Sequence, residues 1–464
     1  MRSARGLLGV PIMLGMDRFD LVIIGAGAAG EAAAFMARKR GASVAVIDRD
    51  LFGGSCPFWA CMPSKTLLHA AAVHAGGGDY PWEKASARRD WMINREGIDY
   101  PDDHSHQSAL GKAGVTTFRG TARIAGPGRV RVTADDGEQE LQAGAILVAV
   151  GSSSRIPDIP GLDEVPFWTN REATTARELP ESLLILGGGP TGVELAQVYA
   201  RYGVPVTLVD SNPRILARDH ERSSALLTRV LQRDGATIRS GVRAINAQAQ
   251  GGEAGRHLIT LDDGSTAEGS TVLLAIGRVF PVAELGLETV GADTSEGRLH
   301  PDEKLRIADG VYAAGDPAGP EMHTHVSHYE GEMAARIALG EDLTPDLRAI
   351  PRATYTEPES ASVGLLVEEA LEQGLDSEEL TQDLATTSKG YVVEAEGHIT
   401  IVADRRSRTL VGAFAVGPGV SEMIHEAVLA VKLRTPLAVL ADTLHAFPTA
   451  ARVMGALFEQ AATD

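Results

Sequence analysis

Hydrophobic and polar positions follow a regular order in residues 19–50, FDLVIIGAGAAGEAAAFMARKRGASVAVIDRD. An uninterrupted apolar run at 21–24 is typical of a buried strand, and Gly25, Gly27 and Gly30 follow it directly. An alanine-rich helical stretch comes next, and a second apolar run ends in Asp48. The pattern predicts a strand, a tight turn, a helix and a second strand with an acid at its end.

The same order returns in residues 182–210, SLLILGGGPTGVELAQVYARYGVPVTLVD. Gly187, Gly189 and Gly192 separate an apolar run from a helical stretch, and Asp210 ends the next apolar run. In such a unit the glycines allow a tight turn and the close approach of a pyrophosphate, the helix N-terminus supplies amides, and the acid binds ribose hydroxyls. The repeat therefore predicts two Rossmann-like dinucleotide-binding folds in one chain.

Two dinucleotide folds need two ligands. The economical pair is a resident flavin dinucleotide, FAD, and a diffusible nicotinamide dinucleotide, NAD(P)H, as electron donor. Asp210 would bond the 2′- and 3′-hydroxyls of an NAD ribose and repel the 2′-phosphate of NADPH. Arg214, four residues further on, could soften that repulsion. The sequence favours NADH.

Further apolar runs lie between and after these landmarks. AILVAVGSSSRIPDIPG (145–161), TVLLAIGR (271–278) and GVYAAGDPAG (310–319) each predict a buried strand that ends in a glycine turn. Beyond about residue 346, shorter strands precede the helical stretch SEMIHEAVLAVKL, so we expect a separate C-terminal α+β domain. Residues 73–110, which include GGGDYPWEK and DYPDDHSHQ, predict an irregular, solvated insertion.

Composition narrows the function classes. A chain of 464 residues implies several domains, and 44% hydrophobic with 23% charged residues is an ordinary globular composition. The formal net charge of -19 argues against nucleic acid and anionic membranes as partners. No apolar run approaches the roughly 20 residues that span a bilayer. We expect residues 1–15 to be an N-terminal extension, with Met16 as an alternative start.

Two cysteines, Cys56 and Cys61, are the only ones in the chain and lie in GGSCPFWACMPSK, residues 53–65. They could form a structural staple, half of a metal site, or a redox dithiol. Two cysteines are too few to form a disulfide framework in a chain of this length. Their number therefore favours a cytoplasmic location, and a catalytic or redox role for the pair. A zinc site needs about four ligands, and we predict no metal site.

These motifs together resemble the flavoprotein disulfide reductases, the family of dihydrolipoamide dehydrogenase, glutathione reductase and mercuric reductase. The resemblance covers nearly everything from Asp17 onward. It rests on both glycine fingerprints with their acids, the cysteine run 53–65, AIGR (275–278), AAGD (313–316) and YTEPESASVG (355–364).

The resemblance implies that Cys61 lies against the flavin ring as the charge-transfer thiolate, whereas Cys56 faces outward and attacks the substrate. A helix N-terminus near the pair would lower a thiol pKa from its usual value of about 8.5. Lys65 and Glu194 match the ion pair near flavin N5. The implied cofactor-binding residues are Gly25, Gly27, Gly30, Asp48, Gly54, Lys65, Gly151, Asp316, Gly187, Gly189, Gly192, Asp210, Gly277, Arg278 and His325.

The fold class implied is α/β, with two Rossmann-like domains for FAD and NAD(P) and a C-terminal α+β dimerisation domain. We expect the FAD-binding domain in two parts, 16–161 and 286–345. The NAD(P)-binding domain then occupies 162–285, and the dimerisation domain occupies 346–464. A homodimer is expected, because the family places this last domain beside the partner's cysteines.

One stretch departs from the family pattern. Where the family has His-Pro-Thr and a Glu five residues after the His, this chain has LHAFPTAARVMG, with Phe447 at the His and Arg452 at the Glu position. His445 is a candidate replacement base, and a histidine of the cluster His323, His325 and His328 is another. A missing general base costs about 10²–10⁴ in rate, so fast turnover of glutathione- or lipoamide-like disulfides is not expected.

The predicted function is that of an FAD-dependent NAD(P)H oxidoreductase. It would pass hydride through the flavin to a redox-active Cys56–Cys61 disulfide, and on to a disulfide or another small acceptor. Two alternatives stay open. One is an NAD(P)H quinone reductase or oxidase with non-essential cysteines. The other is a reaction like that of 2-ketopropyl-coenzyme M oxidoreductase/carboxylase, which also has a Phe at the position of Phe447.

Overall fold

The computed structural model describes residues 17–251 and 255–463. The predicted extension at 1–15 and the alternative start at Met16 lie outside the described residues. The described helices are α1 Ala28–Lys39, α2 Ser55–Trp59, α3 Cys61–Ala75, α4 Trp82–Met92, α5 His104–Lys112, α6 Asn170–Thr175, α7 Pro190–Arg201, α8 Glu221–Arg233, α9 Thr324–Ala338, α10 Val367–Glu372, α11 Ser388–Val393, α12 Val420–Leu433, α13 Leu437–Ala441 and α14 Ala450–Thr463.

The strands alternate with these helices through most of the chain. They are β1 Arg18–Ile24, β2 Val44–Asp48, β3 Thr116–Arg119, β4 Thr121–Gly126, β5 Arg129–Ala134, β6 Gly137–Val148, β7 Ser153–Ser154, β8 Phe167–Trp168, β9 Leu183–Leu186, β10 Val206–Asp210, β11 Ala236–Ser240, β12 Ala244–Gln248, β13 His257–Leu261, β14 Thr266–Gly269, β15 Thr271–Leu274, β16 Arg278–Val279, β17 Arg306–Ala308, β18 Val311–Ala313, β19 Arg352–Thr354, β20 Glu359–Gly364, β21 Ser377–Asp383, β22 His398–Asp404 and β23 Thr409–Gly417.

The first compact unit contains residues up to Gly54, Asp103–Ser152 and Phe280–Pro345. Its sheet has the order β17-β18-β6-β1-β2-β3, and β1 pairs in parallel with both β2 and β6. The apolar run 21–24 forms the buried end of β1, with exposures of 0–4%. Helices α1 and α9 pack against each other at very close range, because an added Cβ at Gly331 would lie 2.1 Å from the carbonyl oxygen of Ala29.

The second unit contains Ser55–Asp102, Ser153–Val279 and Asp346–Asp464. The segment Ser153–Val279 contains a five-stranded parallel sheet with the order β11-β10-β9-β15-β8. A second, antiparallel sheet, β12-β13-β14, lies between β11 and β15 in the sequence. The C-terminal part is an antiparallel sheet, β19-β20-β23-β22-β21, whose apolar side packs in one buried cluster with α12 and α14. Both agree with the predicted α/β and α+β classes.

The prediction of an irregular, solvated insertion at 73–110 is wrong. Helices α3, α4 and α5 cover much of it, and Trp82 and Ala85 are buried. The buried face of α4 also includes Arg89, which is fully buried and donates to the carbonyl oxygens of Thr174 at 2.7 Å and Ala176 at 3.0 Å. A charged residue at an interior position hides the helical hydrophobic period. Its burial is made tolerable by these tertiary hydrogen bonds together with the ion pair to Asp90 at 2.9 Å.

Candidate active site

The first glycine turn joins β1 to α1, and two of its glycines, Gly25 and Gly30, leave no space for a side chain. Gly25 has φ +105°, and a Cβ there would lie 2.3 Å from the carbonyl oxygen of Ala149. A Cβ at Gly30 would lie 1.9 Å from the carbonyl oxygen of Gly25. Helix α1 begins after Gly27 without a side-chain cap, so its first amides point toward the turn. This combination fits the pyrophosphate of a dinucleotide.

Asp48 ends β2 beside this turn. Its carboxylate accepts hydrogen bonds from the backbone N–H groups of Ala26 at 2.6 Å and Asp50 at 2.8 Å. Burial raises the pKa of Asp48 above its ordinary value, and these two amide bonds act in the opposite direction. Gly54 closes over the turn, since a Cβ on it would lie 2.6 Å from Cα of Gly27. The first fold thus has the acid and the close backbone approach that a dinucleotide requires.

A third element of the first unit is the turn after β18. Its Asp316 accepts a short hydrogen bond from the hydroxyl of Ser152, next to Gly151. Behind the turn, the fully buried Glu330 accepts the amide N–H of Gly315 at 2.8 Å, and its Oε1 has no hydrogen-bond partner among the described residues. Burial raises the pKa of Glu330 to about 7.

The predicted site residue His325 lies in the first turn of α9, in the same unit. Its ring stacks on that of His323 at 5.0 Å between centroids, and His323 pairs with Glu321 at 3.1 Å. The side chain of His325 is exposed. The predicted part of His325 in cofactor binding stays a prediction.

The second glycine turn repeats the first between β9 and α7. Gly187 has φ +112°, and a Cβ there would lie 2.3 Å from the carbonyl oxygen of Ala275. A Cβ at Gly192 would lie 1.9 Å from the carbonyl oxygen of Gly187. Asp210 accepts the amide N–H of Gly188 in a short hydrogen bond and that of Asn212 at 2.6 Å. This fold also fits a dinucleotide.

Two further predicted residues of the second unit follow β15. Gly277 has φ +116°, and its carbonyl oxygen accepts the N–H of Arg155 at 2.9 Å. Arg278 begins the short strand β16, which pairs with β7 in an antiparallel ladder. Arg214 donates to the carbonyl oxygen of Leu216 at 3.1 Å, so its guanidinium is partly used within its own loop.

The two cysteines lie on consecutive helices. Cys56 is in α2 and Cys61 is the first residue of α3, and both are partly exposed. Ala60, with φ -131° and ψ -97°, breaks the helical backbone between them. One turn after Cys61, Lys65 Nζ lies 2.8 Å and 3.0 Å from the two carboxylate oxygens of Glu194. Glu194 is 4% exposed.

The structure brings Tyr355 to this ion pair, which sequence reasoning missed. The backbone N–H of Tyr355 donates to Glu194 at 2.9 Å, and Lys65 Nζ lies 4.7 Å from the centroid of its ring. Burial raises the pKa of Tyr355, so the phenol is neutral at physiological pH. Tyr355 opens the YTEPESASVG motif, which was the available signal, but the motif says nothing of a neighbour on α3.

Phe447 and His445 lie in the C-terminal part and differ in their surroundings. The Phe447 side chain is 73% exposed in this chain. The His445 side chain is only 5% exposed, pairs with Glu426 of α12 at 2.8 Å, and lies so near α14 that a Cβ at Gly455 would be 2.5 Å from its Nδ1. Arg452 pairs with Glu459 at 3.1 Å along the same helix. His445 is thus engaged in packing α12 against α14, while Phe447 is presented outward.

Two glycine turns that each donate an amide hydrogen bond to an Asp at a strand end, and a cysteine pair next to a lysine–glutamate ion pair, define a nucleotide-dependent flavoprotein oxidoreductase. Residues 19–331 match the family model described as pyridine nucleotide-disulphide oxidoreductase, and residues 350–457 match the dimerisation domain of that family. The chain belongs to the pyridine nucleotide-disulphide oxidoreductase family.

Individual relatives agree with this assignment. The dihydrolipoyl dehydrogenase of Chlorobaculum parvum is 32% identical over 93% of this chain and 94% of that protein. A mercuric reductase of Streptomyces lividans is 33% identical over 94% of each chain. The structure of LpdA from Mycobacterium tuberculosis has a TM-score of 0.85 at 29% identity, covering 96% of this chain and 99% of that one. A Cu(II) complex of a variant of the flavoprotein disulfide reductase RclA from Escherichia coli has a TM-score of 0.86 at 25% identity, covering 96% and 99%.

The predicted family, fold class, enzyme class and cofactors are therefore confirmed. The protein is a flavin-dependent pyridine nucleotide-disulfide oxidoreductase, and FAD and NAD(P)H are the cofactors of its family. The match to the dimerisation domain supports a homodimer. In the described residues, every helix is too short or too polar to cross a membrane.

Proposed function

We propose that the protein uses NAD(P)H, with NADH preferred, to reduce a Cys56–Cys61 disulfide, which in turn reduces a disulfide or another small acceptor. The observation that carries this proposal is the placement of Cys61 one helical turn before Lys65, whose ammonium group is held by the buried Glu194. Lys65 lies on the same helix as Cys61, and its ammonium group, held in place by Glu194, can stabilise negative charge on a neighbouring reacting group.

When bound, NAD(P)H and FAD supply hydride transfer and two-electron carriage. The Cys56–Cys61 bridge takes up two electrons and two protons as its sulfur–sulfur bond breaks, which gives two thiols. Cys56, as its thiolate, then attacks one sulfur of a disulfide acceptor, and the other half leaves as a thiol. Cys61 attacks Cys56 in the mixed disulfide, which re-forms the bridge and releases the second thiol.

The other site assignments belong to the same proposal. Residues of the first fold would hold FAD, namely Gly25, Gly27, Gly30, Asp48, Gly54, Gly151, Asp316 and His325. Residues of the second fold would hold NAD(P)H, namely Gly187, Gly189, Gly192, Asp210, Gly277 and Arg278. We place the FAD-binding domain at 16–161 and 286–345, the NAD(P)-binding domain at 162–285 and the dimerisation domain at 346–464. A cytoplasmic location remains a prediction from the cysteine count.

The site of the electron acceptor is where this chain differs most from the family pattern. With Phe447 at the position where related enzymes have a histidine base, the crevice that the partner subunit completes gains an apolar wall. Proton transfer to a leaving thiol then depends on water or on the acceptor itself. We expect slow turnover of hydrophilic disulfides and better turnover of apolar disulfides, quinones or metal ions.

The cysteines decide between this function and its first alternative. Cys56→Ser and Cys61→Ser are each expected to abolish NADH-driven reduction of a lipoamide-like disulfide, while the bound flavin is retained. Rates are measured in parallel with a quinone. If both variants keep wild-type rates with every acceptor, the protein is an NAD(P)H quinone reductase or oxidase with non-essential cysteines.

A gain-of-function variant tests the reading of Phe447. Phe447→His combined with Arg452→Glu restores an acid–base pair, and we expect disulfide turnover to rise at least about tenfold, since a general base contributes roughly 10²–10⁴. Phe447→Leu combined with Arg452→Gln is the matched control without a titratable pair. Equal rates in both double variants would mean that the departure serves something other than loss of a base.

A further inference from the structure

The backbone break between the two cysteines leaves one peptide group in need of a partner. Helix α2 ends at Trp59, and the carbonyl groups at the end of a helix lack intrahelical donors. The next carbonyl, that of Ala60, is used by the N–H of Ser64 at 3.1 Å. Trp59 is 6% exposed, so its carbonyl oxygen must find a donor within the protein.

Helix α6 supplies that donor from far along the chain. Asn170, its first residue, donates from Nδ2 to the carbonyl oxygen of Trp59 at 2.8 Å. The hydroxyl of Thr174 lies 3.2 Å from the same oxygen, but it is nearer, at 2.8 Å, to the carbonyl oxygen of Asn170. A hydroxyl has a single proton to donate, and the shorter bond within the helix takes it. Asn170 is therefore the principal donor to Trp59.

The orientation of the Asn170 amide is fixed from its other side. Its Oδ1 accepts the hydroxyl proton of Ser154 at 2.8 Å, so oxygen and nitrogen each face a complementary partner. Ser154 lies in β7, which pairs with β16. The ring of Trp59 is held as well, with Tyr100 at 5.4 Å between centroids and the Arg171 guanidinium at 5.1 Å.

We propose that Asn170 is a positioning residue for the redox pair. Its side-chain amide, oriented by the hydrogen bond from Ser154, holds the backbone at Trp59–Ala60, where the helical conformation is interrupted, and thereby fixes the relative placement of Cys56 and Cys61. This inference rests on the proposed function, in which the two cysteines form a bridge. Holding two thiols in one geometry raises the effective concentration of each for the other, which favours the disulfide over the dithiol.

The test measures the redox equilibrium of the pair instead of turnover. Purified protein with its flavin is equilibrated in mixtures of reduced and oxidised dithiothreitol, thiols are trapped by alkylation, and mass spectrometry gives the ratio of disulfide to dithiol. Asn170→Asp keeps an acceptor for Ser154 but turns an oxygen toward the Trp59 carbonyl. We expect this ratio to fall about tenfold, as for one buried hydrogen bond lost with added repulsion.

Matched variants make the outcome decisive. Ser154→Ala removes only the hydrogen bond that orients the Asn170 amide, and it is expected to lower the ratio of disulfide to dithiol about twofold to threefold. Asn170→Ala removes the donor without adding charge and decides the matter if Asn170→Asp does not fold. Thermal melting identifies variants that fold like wild type. A ratio within twofold of wild type in the folded Asn170 variants would overturn the proposal.

A different result marks failure of the proposed function. If the wild-type protein forms no Cys56–Cys61 bridge in any dithiothreitol mixture, the redox role of the cysteines is wrong, and the positioning role falls with it. Tryptophan fluorescence, read against Trp59→Phe, gives an independent measure. A red shift of the Trp59 emission in folded Asn170→Asp would show that the segment at Trp59–Ala60 is no longer held in its buried position and supports the proposal. An unchanged spectrum contradicts it.

Discussion

The two glycine turns are built alike but are covered differently. In both, the first glycine carries a left-handed backbone, and an added Cβ would lie 2.3 Å from a carbonyl oxygen. In both, a Cβ on the third glycine would lie 1.9 Å from the carbonyl oxygen of the first, and an Asp accepts an amide of the turn. The repeat in sequence is thus a repeat in geometry, down to individual contacts.

The middle glycine shows the difference. Gly54 closes on Gly27, and Gly53 lies so near His106 that a Cβ on it would be 2.7 Å from the imidazole ring. His106 is tied to Glu31 of α1 at 2.8 Å. A Cβ on Gly189 would meet no heavy atom of the described residues within 4 Å, whereas one on Gly27 would lie 3.8 Å from Cα of Gly54. The first turn is thus covered by the loop that contains Gly53 and Gly54, and no comparable cover lies over Gly189 in the part of the chain that the structure describes.

The largest expected effect comes from filling the third glycine of each turn. Gly30→Ala should weaken FAD binding about 100-fold, and Gly192→Ala should raise the KM for NADH about as much, since overpacking costs about 3 kcal/mol. The ratio of flavin to protein after desalting and steady-state kinetics measure the two effects. Gly111→Ala is the control, because its Cβ would meet no heavy atom within 4 Å in the ranges 17–251 and 255–463. Loss of flavin in Gly192→Ala, with Gly30→Ala unaffected, would reverse the assignment of the folds.

The next effect contrasts a buried carboxyl in each unit. Glu330 holds its proton to a pKa of about 7, so the folded protein binds a proton that the unfolded chain has released above about pH 4.5. Stability is therefore highest below pH 4.5 for this group and falls by up to about 3 kcal/mol as the pH rises through 7. Glu330→Gln should remove that fall, as measured by urea unfolding at pH 5.5 and 8.5.

Glu194 is the counterpart, because Lys65 gives it a counter-ion. Glu194→Gln should lower stability at both pH values, since it leaves the lysine without its partner. A wild-type protein whose unfolding free energy does not decline between pH 5.5 and 8.5 relative to Glu330→Gln would contradict the account of Glu330.

The smallest of these effects concerns the choice of nucleotide. Asp210→Asn keeps an oxygen for the amide N–H of Gly188 and removes the charge that repels a 2′-phosphate. We expect the ratio of kcat/KM for NADPH over NADH to rise about tenfold. Asp48→Asn, at the equivalent position of the first fold, should leave that ratio unchanged. A change in ratio from Asp48→Asn instead would mean that the second turn is not the nicotinamide site.

The glycine turns could be predicted from sequence because each is a motif of consecutive residues. Strand, turn, helix and acid lie within about thirty consecutive residues, and the glycines are needed for contacts inside that stretch. The same holds for the C-terminal α+β part, where β22, β23 and α12 lie in the region predicted to form short strands followed by a helix.

The remainder depends on residues far apart in the chain. Tyr355 reaches Glu194 and Asn170 reaches Trp59 only through folding, and neither contact leaves a periodic signal. Arg89 interrupts the apolar pattern of α4. It can be buried there because the carbonyl groups of residues 174 and 176 accept hydrogen bonds from its guanidinium. Such buried polar contacts are specified by tertiary structure, so hydrophobic periodicity misses them.

The central claim is that electrons from NADH pass through the bound flavin into the sulfur–sulfur bond of Cys56 and Cys61. Anaerobic titration with NADH counts them directly. The wild-type protein should consume about two equivalents of NADH per flavin before excess NADH accumulates, one for the flavin and one for the bridge, whereas Cys61→Ser should consume about one. If wild type and Cys61→Ser both end at one equivalent, the sulfurs accept no electrons and the account is wrong.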